Sequence, residues 1–246
     1  MTSPLFHSTT GTVTVASVPE ARLICYSCRA EVVQNFVVIY PANHKEGEKE
    51  DWNTGCYSTR NDLLRIYPNA HPVLKEIFQL APENGIKSWP LLSRAPLKTW
   101  HKQRCLLVGD AAHPMLTHRA QGGGMGIEDA EALAVALACM RNLELPELKR
   151  SLELFEKIRV PRASAMQILS SVHPEELATV ENQLNQVRPY IGGKVLLRTS
   201  ADVDAWVMNY DVLDESEAVL REYLEGVVDV ASGEAQPAQE RTKEAE

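Results

Sequence analysis

The sequence predicts an α/β protein, on three observations. The first forty residues hold three runs rich in β-branched and aromatic residues. Near the middle an uninterrupted apolar run, CLLVG, leads through a glycine-rich loop into a strongly helical segment, and helical spacing dominates the remainder of the chain. A chain of 246 residues, 44% hydrophobic and 24% charged, is long enough to bury a real core in one or two domains.

From Thr12 to Tyr40 the runs TVTVASV, RLICYSCR and VVQNFVVIY, parted by short polar segments, predict strands of a mostly antiparallel sheet. Alternation puts Leu23, Cys25 and Ser27 on one face and Ile24, Tyr26 and Cys28 on the other; neither is plainly polar, so the sheet is expected to be covered on both sides. Pro41 to Thr54 has no apolar period and predicts a solvated loop. Between Ser58 and Leu80, Pro68 and Pro72 frame a turn, and Val73, Ile77 and Leu80 keep helical spacing, which predicts two short helices. CLLVG, entered through LKTWHKQR, predicts a fully buried strand. From Gly124 to Met140, Ile127, Ala130, Leu133 or Ala134, Leu137 and Ala138 recur at helical intervals, with Glu128, Asp129 and Glu131 in the early turns. Further helices are predicted at 148–171, 174–188 and 214–228, the first kinked or split at Pro161. The acidic end from Ser232 onwards predicts disorder.

The balance of 25 basic against 33 acidic residues, a net charge of -8, argues against an electrostatic nucleic-acid binder. The longest apolar run, Ala132 to Met140, falls far short of the roughly 20 residues a membrane-spanning helix requires. Without a basic start and apolar core, MTSPLFHSTTGTV does not resemble a secretory signal, so a soluble, cytoplasmic protein is expected. Five scattered cysteines suggest reduced thiols rather than a disulfide framework. The lone CxxC of Cys25 and Cys28 lies in a strand, where positions three apart face opposite ways, so no metal site is assigned.

The segment Arg104 to Glu131, RCLLVGDAAHPMLTHRAQGGGMGIEDAE, carries the chemistry. A strand delivers Asp110 to its carboxy-terminal edge, where a carboxylate can accept hydrogen bonds from sugar hydroxyls. Gly122, Gly123 and Gly124 stand immediately before the helix, so bare amides and a positive helix terminus converge as an anion cradle. Either feature alone is often a mere turn or loop. In the order strand, GDAAHP, AQGGG, helix, they closely resemble the second flavin-binding motif of the FAD-dependent aromatic hydroxylases, the salicylate and para-hydroxybenzoate hydroxylase group.

By that resemblance Asp110 holds ribityl or ribose oxygens, Gly122, Gly123 and Gly124 face the pyrophosphate and the flavin ring, and Pro114 fixes the loop passing the flavin. His113 beside it reads as a supporting histidine rather than an acid or base. ARLICYSCRAEVVQNFVVIYP is similar to the family's substrate-domain hairpin; it offers Tyr26 and Arg29 as groups that position the substrate and assist deprotonation of a phenol. FEKIRVPRASA is similar to the helix after the flavin motif, where Arg159 and Arg162 would brace the fold, and WVMNYD resembles a recurring terminal signature. The likeness covers about residues 20 to 215.

The sequence departs from the family in holding no GxGxxG loop. A partial aromatic-hydroxylase-like fold is therefore expected, lacking the amino-terminal βαβ dinucleotide unit. Residues 1–100 would form a substrate-domain sheet remnant with short helices, 101–142 the flavin-binding strand, loop and helix, 143–230 the carboxy-terminal helices, and 231–246 a disordered tail. Thr117 and His118 stand where many relatives have proline and tyrosine. The resemblance implies a monooxygenase using FAD, with NAD(P)H as transient reductant, that hydroxylates or epoxidises an aromatic or polyketide-like small molecule in secondary metabolism. A redox-inactive family member, acting as a non-redox enzyme, partner subunit or remnant, stays open beside it. So does a split enzyme whose amino-terminal half comes from another polypeptide.

Overall fold

The computed structural model describes residues 11–18, 21–41, 56–171, 177–192 and 197–232. The expected loop at 42–54 and the tail beyond 232 lie outside them. The chain divides into two compact units, Met1–Pro90 and Leu91–Glu246.

In the first unit three strands, β1 (Val13–Val18), β2 (Ala21–Cys28) and β3 (Val33–Ile39), form an antiparallel meander in the order β1-β2-β3. Leu23 pairs with Ala16 and Val38, so these three share a face, and Leu23 and Cys25 there are almost fully buried. That face forms a core with Tyr67, Ala70 and Phe78. The Tyr67 and Phe78 rings pack at 5.6 Å, and burial pushes the Tyr67 phenol up to about 12. The opposite face is not covered within this unit, contrary to expectation: Val13 is 61% and Val15 48% exposed. The two short helices, α1 (Arg60–Ile66) and α2 (Pro72–Gln79), bring Phe78 and the adjoining Tyr67 and Ala70 to one side only. A second antiparallel pair joins β4 (Cys56–Thr59) to β5 (Asn84–Ser88).

The helix α1 begins with a capping box, in which the Asp62 amide donates to Thr59 Oγ1 and the Thr59 amide to Asp62 Oδ2. Thr59→Ala is expected to destabilise this unit by about 1 kcal/mol, read as a shift in its urea midpoint without a change in slope.

In the second unit a short antiparallel hairpin, β6 (His101–Lys102) and β7 (Cys105–Leu106), precedes α3 (Gly122–Ala138), α4 (Leu145–Leu169), α5 (Leu177–Ile191), α6 (Ser200–Met208) and α7 (Val212–Ser232). CLLVG is thus not a fully buried strand. Among the described residues it pairs only with the hairpin and with Trp100, whose carbonyl accepts the Leu107 amide at 2.9 Å, and Val108 stays 44% exposed. Pro161 does not split α4, which runs unbroken because Phe155, Ile158, Arg159, Arg162 and Ala163 on both sides of it are buried. The first core cluster gathers Met125, Met166, Leu169, Val187 and Val203; the second gathers Trp100, Ala132, Ala136, Leu154, Phe155 and Ile158. The long helix α4 contributes to both. No described helix is long and apolar enough to cross a membrane.

The stripe of α3 marked by its sequence period is the exposed one: Ile127 is 67% exposed. The buried stripe is Met125, Asp129, Ala132 and Ala136. Both stripes are apolar enough to serve, and small alanines let α3 approach α4 while Asp129 finds a cation there.

Candidate functional site

After CLLVG the chain turns through a short 3-10 segment, Gly109–Ala111, that carries Asp110. Gly109 sits at φ +57°, the left-handed region that only glycine enters without strain. Its carbonyl accepts the amides of Ala112 and His113, both at 2.9 Å, and its own amide donates to Asp129 Oδ2 at 2.8 Å. Arg94 donates to the carbonyls of Ala111 and Ala112, and Gln167 to that of Pro114 at 3.0 Å. The turn is therefore held at four points while the Asp110 side chain stays exposed, without a hydrogen bond or ion pair among the described residues.

A second 3-10 turn, Thr117–Arg119, ends at Ala120 with φ +52° and hands the chain to α3. The Gln121 side chain does not cap that helix, and the first bond of its ladder runs from the Met125 amide to the Gln121 carbonyl. The amides of Gly122, Gly123 and Gly124 precede the ladder and stay available at the positive end of the helix. Asp110, Met115, Leu116, Thr117, Gly122 and Gly123 line one open cleft of about 470 Å³. A Cβ at Gly122 would stand 4.0 Å from Asp110 Oδ1, and one at Gly123 would meet no protein atom. A carboxylate acceptor and the start of a helix thus line one cleft, an arrangement suited to a ligand with hydroxyls at one point and electronegative oxygens at the next.

Beneath the cleft lies a buried charge network. His113, fully buried, has Nε2 at 2.7 Å from Asp129 Oδ2, and facing a carboxylate that nitrogen donates. Arg159, also fully buried, donates from Nε to Asp129 Oδ1 at 2.9 Å and from Nη1 to Glu128 Oε2 at 2.5 Å. Glu128 further accepts from Arg162, whose guanidinium lies over the Trp206 ring at 4.4 Å and the Tyr210 ring at 4.0 Å and donates to the carbonyls of Trp206 and Val207. Two carboxylates balance two guanidiniums. Burial lowers the Arg162 pKa, whereas at Arg159 the opposing pull of burial is outweighed by Glu128 and Asp129, so its pKa rises.

At Asp129 burial alone would raise the pKa, but hydrogen bonds from His113, the Gly109 amide and Arg159, with the charge of Arg159, hold it below the ordinary carboxylate value. The unfolded chain then takes up the proton first. The stabilisation is complete above the unfolded value of about 3.9 and is lost as pH falls through the lower folded value. The stability gap between wild type and Asp129→Asn, from urea midpoints, is expected to narrow below about pH 4. A gap that holds constant through that range would contradict the assignment.

Of the residues singled out from sequence, Asp110, Gly122 and Gly123 come together in the cleft. Gly124 follows within the helix start, and Pro114 lies on the connecting loop, its carbonyl tied to Gln167. Tyr26 and Arg29 belong to the first unit. Tyr26 is half-buried on the face of β2 opposite Leu23, and Arg29 opens the β2–β3 turn with φ +50°. The sequence reading missed Asp129, Arg94 and Gln167 as supports of the Asp110 turn. Asp129 was legible only as a carboxylate four residues after Met125, on the same helical stripe; Arg94 and Gln167 left no local signal.

Comparison with known proteins identifies the family. Residues 17–167 match the model of the FAD binding domain family. An FAD-dependent monooxygenase of Diaporthe leptostromiformis is 37% identical over 202 residues, covering 81% of this chain and 48% of that protein. Hispidin-3-hydroxylase of Neonothopanus nambi is 30% identical, covering 82% of this chain and 43% of its own length. The fold superposes on a solved salicylate hydroxylase substrate complex with a TM-score of 0.58 at 21% identity, over 84% of this chain and 49% of that one. The chain spans about half the length of the curated relatives it matches. The family match and these relatives place this chain in the FAD-binding family of flavin-dependent aromatic hydroxylases and monooxygenases.

Proposed function

We propose that this chain contributes the ribityl and ring side of the FAD site in a monooxygenase that hydroxylates or epoxidises an aromatic or polyketide-like small molecule. The observation that carries the reading is the shared cleft of Asp110 with Gly122 and Gly123 at an uncapped helix start. The residues present fit that end of FAD: a carboxylate with no partner among the described residues awaits hydroxyls, and glycines leave open the space beside the free amides.

In this reading Asp110 accepts hydrogen bonds from ribityl hydroxyls, and the amides of Gly122, Gly123 and Gly124 donate to electronegative oxygens of the cofactor. Pro114 limits the freedom of the loop between them. Tyr26 and Arg29 position the substrate and assist removal of a phenolic proton. When bound, FAD supplies the oxygen chemistry, with NAD(P)H as transient reductant, and the cytosol is the expected setting.

A second reading is a redox-inactive role, or a site completed by another polypeptide. The visible spectrum of the purified chain with and without added FAD separates the two. Flavin retained through gel filtration supports the proposal, and a chain that takes up none overturns it for this polypeptide alone.

A further inference from the structure

We propose that Asp129 is a positioning residue for the flavin site, acting through Asp110; the inference rests on the reading that the Asp110 cleft holds flavin. Because Asp110 has no bond of its own among the described residues, the aim of its carboxylate is inherited from the backbone that carries it. That backbone is tied at both ends to a single atom. The Gly109 amide and the His113 ring converge on Asp129 Oδ2 at 2.8 and 2.7 Å, and the Gly109 carbonyl closes the loop by accepting the His113 amide.

The second carboxylate oxygen is held by Arg159 at 2.9 Å, so the whole side chain is locked from α4. Asp129 is 1% exposed, which leaves no access for bulk water to replace it as acceptor. Only a carboxylate suits the place, because three donors converge on its two oxygens. An amide of the same shape sets its NH2 against either Arg159 or the Gly109 and His113 pair, and the turn must shift to relieve the clash.

The test is a double-mutant cycle on FAD affinity, measured by fluorescence titration of the full chain, with Asp110→Asn as the second change because it retains an acceptor. Asp129→Asn alone is expected to weaken FAD about tenfold or more. In the Asp110→Asn background the same change is expected to cost less than about threefold, the coupling that shared action produces. An equal loss in both backgrounds overturns the proposal and leaves the flavin reading standing, whereas a wild-type chain that takes up no FAD overturns both for this polypeptide alone.

Should Asp129→Asn fail to fold by near-ultraviolet circular dichroism, His113→Ala takes its place, since it cuts one tie and leaves the Arg159 pair intact. His113→Gln, whose amide nitrogen reaches where Nε2 stands, is then expected to restore affinity. Absence of that rescue also overturns the proposal.

Discussion

Replacing Arg159 with methionine is expected to cost about 3–5 kcal/mol of folding stability, measured as the unfolding free energy in urea at neutral pH. The guanidinium is fully buried and bonds to Asp129, Glu128 and the Met125 carbonyl. Methionine fills similar space but leaves Asp129 charged in the core and Glu128 with Arg162 alone. Arg159→Lys should recover little of the loss, because a point charge cannot span both carboxylates in the fork geometry of Nε and Nη1. A loss below about 1 kcal/mol would mean that water reaches these carboxylates and that the network contributes no more than a surface pair.

Asp110→Ala is expected to weaken FAD uptake at least a hundredfold, to below detection at micromolar protein. Two hydrogen bonds from hydroxyls to a carboxylate are worth about 1.5–3 kcal/mol each, and about 1.4 kcal/mol is tenfold in affinity. Stability should scarcely change, because the Asp110 side chain is exposed and makes no bond within the described residues. Unchanged FAD affinity in this variant would remove Asp110 from the site.

Where local chemistry decides structure, the linear sequence was enough. The runs that became β1, β2 and β3 are dense in valine, isoleucine and tyrosine, and the short connections leave an antiparallel meander as the natural pairing. The order of CLLVG, GDAAHP, AQGGG and a helix likewise marked Asp110 and Gly122 as one site, although a loop of a dozen residues can span about 40 Å and the ties of the turn to Asp129 and Gln167 hold it in place. Pro161 misled because the penalty for a proline inside a helix is local, whereas the burial on both sides of it that keeps α4 whole is not.

What the sequence by itself determined is the kind of chemistry available: a carboxylate at a turn, free amides at a helix start, and the flavin-binding family to which that order belongs. The tertiary structure alone decided which stripe of α3 faces inward and what anchors the Asp110 turn. An alanine-rich helix offers two apolar faces of similar quality, and the choice falls to contacts distant in the chain. Asp129 meets Arg159 thirty residues away and His113 sixteen residues away. No periodicity records such a pairing, because its free energy exists only once burial has removed water from all three groups.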